Sequence, residues 1–468
     1  MNILKRGGRR LSARQTQNLT EGNPYKMIIG FAMPILLSQV FQQLYNTADT
    51  LIVGRYLGTE ALAAVSSSGT LIMLLVSFFI GTSMGAGVAI SKHFGAGDFD
   101  NVSRAIHTNI AFGLIAGTAL TVVGVLFTPT FLVWMNTDPE VLPQAVEYFR
   151  YYFTGCLAMV MYNVLKGVMN ALGDSRRPLY YLIFSSLLNI GLDLLFIAVF
   201  RWGVWSAAVA TMISQFASFV LCLIHLLKRG EIYTITPRDI RIHRDCLVEM
   251  IRYGLPSGVQ NSVIGLANVI VQSQINSFGK LAMAAYGTHA KIEGFVFLPI
   301  VSFNMASTTF ISQNLGAKEY DRAKKGSAFS IIVPVVMAEL IGFFYYTFAP
   351  QLISIFDTNP GVIELGTMQA RTVSFFFCLL AFSHAVAAIC RGAGKAFVPM
   401  TVMLGVWCVI RIIYIAVVMH LFNDISYIYW AYPITWAISS VIYLLYYLFS
   451  DWLHGFEKEE QKRLAKSS

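Results

Sequence analysis

Five polar residues stand inside otherwise apolar stretches of this sequence and could do chemistry there: Asp49, Asn163, Asn189, Asp193 and Thr211. An ionised group at the centre of a bilayer costs on the order of 3 kcal/mol, so an acid in such a stretch calls for a functional reason. Two carboxylates with amide and hydroxyl oxygens form an all-oxygen cage for a hard cation such as Na⁺, with Asp49, Asn189 and Asp193 as its ligands. The same pair could instead share and pass on a proton. Asn189 and Asp193 are one helical turn apart and share a face. Asp49 ends a stripe of Gln39, Gln42, Asn46 and Asp49, whose three- and four-residue steps put all four on one side of a helix that would look into a wet cleft. A buried hydrogen-bond network that only locks the fold would use the same residues.

Other positions could shape a path for a solute. Pro34, upstream of that stripe, removes one backbone hydrogen bond and can bend its helix, freeing a carbonyl. Further on, Gln260 and Asn261 are polar candidates for the cleft, as are Lys291 and Glu293, with His289 beside them. Residues two apart point to different sides of a helix, so Lys291 and Glu293 are not expected to pair with each other. Arg411 lies in mid-stretch and either snorkels or meets a carboxylate. No catalytic constellation is found: motifs of the D-x-x-D or H-E-x-x-H type are absent, and the six cysteines are scattered. An enzyme such as an intramembrane prenyl transferase is therefore not expected, and no cofactor is called for.

The elements that hold these residues must be membrane helices. The chain has 468 residues, 56% hydrophobic and 13% charged. That is too little polar surface to clothe a soluble fold of such a size. Apolar runs of about 20 residues, enough to cross roughly 30 Å of hydrocarbon, recur along the sequence. Their predicted spans are 27–53, 62–90, 104–127, 142–172, 179–200, 204–227, 247–277, 282–310, 326–349, 362–390, 397–421 and 427–450. The first 26 residues lack the features of a cleavable signal. With the N-terminus inside, the cytoplasmic segments carry 25 lysines and arginines, against three (Arg55, Arg201, Lys280) outside. That asymmetry predicts a multi-pass protein of the inner cell membrane with both termini cytoplasmic. It also accounts for the net charge of +9 without a nucleic-acid partner.

An internal repeat organises the spans. Gly95-Ala-Gly-Asp-Phe-Asp100 aligns with Gly316-Ala-Lys-Glu-Tyr-Asp321 at an offset of 221, the difference between 316 and 95. Pro129 and Pro350, Arg150 and Arg371, Gly173 and Gly394, and Pro178 and Pro399 keep that offset, and Pro34 matches Pro256 after a one-residue adjustment. The expected fold is therefore all-α, with twelve transmembrane helices in two six-helix lobes related by a parallel repeat. Its segments are an N-terminal tail (1–26), an N-lobe (27–227), a linker (228–246), a C-lobe (247–450) and a C-terminal tail (451–468). The acids do not follow the repeat. Asn163, Asn189, Asp193 and Thr211 align with His384, Ile410, Tyr414 and Tyr432, so the coupling cluster is expected in the N-lobe alone.

The sequence resembles the multidrug and toxic compound extrusion (MATE) transporters across its whole membrane region. The likeness rests on Gln43-Leu-Tyr-Asn-Thr-Ala-Asp49, on Val53-Gly54 and Ala61-Leu-Ala-Ala-Val65, and on the duplicated Gly-Ala-x-Asp/Glu-Phe/Tyr-Asp loop. It implies two lobes in an outward V that export organic, often cationic, compounds in exchange for H⁺ or Na⁺. The DinF-like branch is the nearer, and its cation site would fall on Asp49, Asn163, Asn189, Asp193 and Thr211, with Pro34 as the bending proline. The NorM-type branch places acids in its seventh and tenth helices, where this chain has Gln260, Asn261 and His384. The expectation is a monomeric antiporter whose partners are small organic molecules and membrane lipid. The alternative is a lipid-linked saccharide flippase, which would need a cationic central cavity.

Overall fold

The computed structural model describes residues 18–58, 61, 65, 81, 83–134, 137–228, 235–458 and 461. Most of the expected second span, the basic N-terminal tail up to residue 17, the linker residues 229–234 and the end of the C-terminal tail lie outside the described residues.

Among the described residues every regular element is a helix. The first lobe runs through α1 (Pro24–Leu57), α2 (83–95), α3 (Phe99–Trp134), α4 (Leu142–Thr154), α5 (Cys156–Ala171), α6 (Arg176–Asp193) with a π-helical extension Leu194–Val199, and α7 (Trp205–Lys228). The second comprises α8 (Arg244–Asn276), α9 (Lys280–Gly316), α10 (Tyr320–Ser354), α11 (Pro360–Val373), α12 (Phe377–Gly392), α13 (Phe397–Met403), a π-helical stretch Leu404–Ile410, α14 (Arg411–Leu421) and α15 (Ile425–Phe449). Local chemistry sets several starts. Asn23 caps α1 by accepting from Tyr25 N and Lys26 N, with Pro24 at the first helical position, and Asn359 with Pro360 does the same for α11.

Nine helical segments among the described residues are long and apolar enough to cross a membrane. The other expected spans depart from that pattern for visible reasons. Gly155 separates α4 from α5, and α8 carries Gln260, Asn261, Asn268, Gln272 and Gln274 along its length. The second span is seen only over its last turns.

The repeat holds in the backbone. Phe99 and Tyr320 open α3 and α10, α5 and α12 share both ends, Arg176 and Phe397 open α6 and α13, and Lys228 and Phe449 close α7 and α15, always at the same offset. Single contacts follow it too. Ser91 Oγ donates to the Ala171 carbonyl at 3.1 Å, and Ser312 Oγ donates to the Gly392 carbonyl at 2.8 Å.

The lobes meet on the side of the chain termini. Gly85 of α2 and the preceding Gly81 lie directly against the α8 backbone at Gly254 and Gly258, a close approach that only small residues allow. Gly95 abuts the Gln313 carbonyl, while Gly316 abuts the Lys92 carbonyl. Positions 92 and 313, like 95 and 316, are repeat equivalents, so the contact is reciprocal, as a two-fold axis requires. Around it, Lys92 pairs with Glu249 at 2.7 Å and Arg104 with Asp245 at 2.8 Å. Arg322 donates to the carbonyls of Leu19 and Glu21, and Gln313 donates to the Ala171 carbonyl at 2.8 Å. One apolar core joins both lobes here, from Ile90 and Ile106 to Phe310 and Phe456; two further clusters belong to the second lobe.

Candidate cation site

Asp49 comes from the far half of α1, Asp193 from the last residue of α6 and Thr211 from the second turn of α7. The contacts of α1 with α6 and of α6 with α7 bring these three together inside the first lobe. Asp193 is fully buried, and Asn189, one turn earlier on α6, is 1% exposed. The two carboxyl groups are within hydrogen-bonding reach of each other. The Oδ1 atom of each is buried without a protein partner. Buried polar atoms are nearly always satisfied, so two neighbouring carboxyl groups with an open oxygen on each describe a place for a proton or a small cation.

Asn189 connects the acids to α7. With its amide turned to satisfy both neighbours, it donates to Asp193 Oδ2 at 3.3 Å and accepts from Thr211 N at 3.3 Å. In the opposite orientation its Nδ2 lies 3.4 Å from Thr211 Oγ1. Beside this bridge is a small pocket lined by Tyr45, Ser185, Ser186, Asn189, Thr211, Ser214 and Gln215. A second small pocket shares Thr211 and Gln215 with the first and reaches Tyr152, Cys156 and Met159. Gln215 Oε1 and Ser186 Oγ are buried without partners, so the wall of the first cavity is polar and incompletely paired.

Sequence reasoning missed Tyr45 and Gln215. Tyr45 sits one turn before Asp49 and Gln215 one turn after Thr211, and the two line the same pocket. The signal was the same four-residue step used for Asn189 and Asp193.

Other expected site residues are placed elsewhere. Asn163, on α5, donates its amide to the Met159 carbonyl of its own helix at 2.9 Å. It makes no hydrogen bond to the carboxylates among the described residues. Of the α1 stripe, Asn46 is exposed and Gln39 and Gln42 are half-buried, whereas the buried face of that helix runs through Phe31, Pro34, Ile35 and Ser38. Pro34 lies inside α1, and its carbonyl accepts from Ser38 Oγ at 2.9 Å. In the second lobe, Gln260 is buried with its amide 2.9 Å from Met403 Sδ, and Asn261 is half-buried. Lys291 lies over the Phe356 ring at 5.6 Å, while Glu293 is 4.0 Å from His289 Nε2. These two do not pair with each other.

The comparisons agree with this architecture. The family model MatE matches residues 34–195 and again 256–417, one copy in each lobe. The chain is 28% identical over 442 residues to the "Probable multidrug resistance protein YoeA" of Bacillus subtilis, covering 93% of this chain and 96% of that one. It is 25% identical over 393 residues to the "Probable multidrug resistance protein NorM" of Thermotoga maritima, covering 82% and 83%. A solved MOP superfamily transporter from Pyrococcus furiosus superposes with a TM-score of 0.87 at 24% identity, covering 93% of this chain and 97% of that one. Matched by the family model in both of its halves, the chain belongs to the MatE family, as a multi-pass all-α membrane transporter and not an enzyme.

Proposed function

We propose that this chain is an antiporter that expels small organic, often cationic, compounds in exchange for H⁺ or Na⁺. The observation that carries the reading is the Asp49–Asp193 pair, two neighbouring acids with an open oxygen on each, in a lobe interior next to a polar pocket. Binding a cation there would neutralise charge that the low-dielectric interior disfavours. Release would restore the repulsion between the acids. Because Asp49 is on α1, downstream of Pro34, loading and unloading would act on a helix that already lacks one backbone hydrogen bond. Relatives named for multidrug resistance support efflux of drug-like molecules as the direction and cargo.

In this reading the lobes run 27–227 and 247–450, joined by the linker 228–246, and both termini face the cytoplasm of a cell whose inner membrane holds the protein. The lobe contacts on the terminus side then close the cytoplasmic end, leaving the cleft to open outward. Gln39, Gln42 and Asn46, off the buried face of α1, would line that cleft, with Lys291 and Glu293 across from them. Asn163, one helix away, would complete the coordination sphere when an ion is bound, and the coupling cluster would follow the DinF-like pattern. A membrane potential of about 100 mV supplies about 2.3 kcal/mol per charge moved, enough for a concentration ratio of more than tenfold.

Dye efflux from proteoliposomes, driven by an imposed proton gradient or an imposed sodium gradient, tests the reading directly. Efflux should follow one of the two gradients and fall by at least about tenfold in Asp49→Asn and Asp193→Asn. Wild-type rates in both variants would sink it.

A further inference from the structure

The second lobe has its own polar centre, at the repeat equivalent of the first lobe's cavity. Thr211 and Ser214, which line that cavity, correspond to Tyr432 and Thr435 on α15. Asn189 corresponds to Ile410, whose neighbour Arg411 opens α14. The register is secure here, because α6 and α13 begin, and α7 and α15 end, at equivalent residues.

The space that is open in the first lobe is occupied in the second. Arg411 is 3% exposed; its Nη2 and Nε donate to Thr435 Oγ1 at 2.8 and 3.2 Å. The guanidinium lies 4.5 Å from the centroid of the Tyr432 ring and 5.7 Å from that of Trp407. Two aromatic faces therefore cover it. Tyr432 is held in turn by Tyr286, the two hydroxyls 3.0 Å apart. No carboxylate contacts the guanidinium among the described residues, and Glu293 on α9 is the acid whose field reaches it. The counterpart of Asp193 is Tyr414, so this lobe lacks the acid that would recruit a mobile ion.

We infer that Arg411 is a tethered cation filling the second lobe's equivalent of the first lobe's cation site, so that Glu293 is balanced from within and the coupling ion enters the first lobe alone. A permanently charged side chain cannot be released, and an Arg in a dry interior does not deprotonate. The second lobe is thereby held in the state that the first lobe reaches only when loaded. The inference rests on the coupling role proposed for Asp49 and Asp193, but its own test does not.

That test is chemical rescue on the purified full-length protein and in the dye-efflux assay. Arg411→Ala should lower the thermal midpoint and slow efflux by roughly tenfold or more, since it empties a buried site and strips the Thr435 hydroxyl and two ring faces of the cation they surround. Millimolar guanidinium should restore both, whereas potassium chloride at equal ionic strength should not. Arg411→Lys should fall between wild type and Arg411→Ala, because an ammonium keeps the charge but not the flat contact with Tyr432. Removing both charges in Glu293→Gln/Arg411→Met should harm stability less than the sum of the two single changes. The inference is overturned if guanidinium restores neither readout, or if the two single effects add. Should Arg411→Ala fail to fold, the Glu293→Gln/Arg411→Met cycle decides. Wild-type efflux in Asp49→Asn and Asp193→Asn would instead sink the coupling reading while leaving the rescue result intact.

Discussion

Gly95 has no room for a side chain because the carbonyl of Gln313, in the other lobe, occupies the place of its Cβ. The equivalent pair, Gly316 and the Lys92 carbonyl, repeats the contact across the pseudo-two-fold axis. Backbone cannot give way as the end of a flexible side chain can. Gly95→Ala and Gly316→Ala should therefore each cost about 1–3 kcal/mol, and should push the lobes apart on the terminus side. On the same helix, Gly87 has nothing within 4 Å of an added Cβ. Gly87→Ala should be neutral or stabilising by up to about 1 kcal/mol. Thermal denaturation of the purified variants, with spin-label distances across the Lys92–Glu249 contact, checks both halves of the prediction.

The loop after α9 offers a test in the opposite direction. Gly97 has φ 72°, and its repeat equivalent Lys318 has φ 59°. Both lie in the left-handed region, which glycine enters freely and a lysine only at a cost of about 1 kcal/mol or more. Lys318→Gly should raise stability by about 0.5–1 kcal/mol. The ion pair it removes, Lys318 to Glu457 at 3.8 Å, joins a lysine 73% exposed to a glutamate 39% exposed. A pair so open to water is worth little. A lower melting temperature for this variant would show that the turn is held by something other than backbone conformation.

Gln215 separates stability from ion binding. Its Oε1 is buried and unpartnered, and it lines both cavities of the first lobe. Replacing buried polar groups that lack a hydrogen bond by apolar groups of similar shape removes their desolvation cost and is close to neutral for folding. Tyr45→Phe/Gln215→Leu should therefore melt within about 1 kcal/mol of wild type. The same variant should require a several-fold higher concentration of the coupling ion for half-maximal dye efflux. Equal ion dependence in the two proteins would remove this cavity from the coupling mechanism.

How much of this was legible in the sequence depends on whether the signal was local. The spans, the register of the repeat and the face shared by Asn189 and Asp193 are periodic features of one strand of text, and the helix ends reproduce the register. Pro34 was visible because proline carries its own backbone chemistry. What was not legible is set by tertiary contact. The π-helical stretches Leu194–Val199 and Leu404–Ile410 differ from α-helix by roughly one residue per turn and leave no mark in hydropathy. Arg411 could be seen as a buried charge, but not as one seated on Thr435 between two rings. Asn163 had the right residue type in the right span, yet its amide is bonded to its own helix. Tyr45 and Gln215 carried a periodic signal that became meaningful only once α1 and α7 were seen to face one cavity.

The linker gives a pH-dependent prediction outside the membrane. Its described part docks on α3 through Thr236 N, which donates to His107 Nε2 at 3.1 Å, and His243 N, which donates to Thr108 Oγ1 at 3.2 Å. The His107 Nδ1 atom lies 2.7 Å from the Ser103 carbonyl. That nitrogen therefore carries the proton, leaving Nε2 free to accept. Partial burial, with the Arg104 and Arg241 guanidinium groups beside it, holds the His243 imidazole below its ordinary range, against a smaller opposing pull from Asp245. Arg104 Nε donates to His243 Nδ1 at 3.5 Å, a contact that a protonated ring could not accept. A histidine whose folded pKa is depressed favours the docked state while neutral. Docking should thus be full above about pH 6.5 and weaken as pH falls below it. Hydrogen exchange, corrected for intrinsic rates, should show protection at the Thr236 and His243 amides declining by a few-fold between about pH 7.5 and about pH 5.5. His243→Gln, which cannot gain the charge, should flatten most of that decline; an unchanged slope in this variant would show that the His243 imidazole does not control docking.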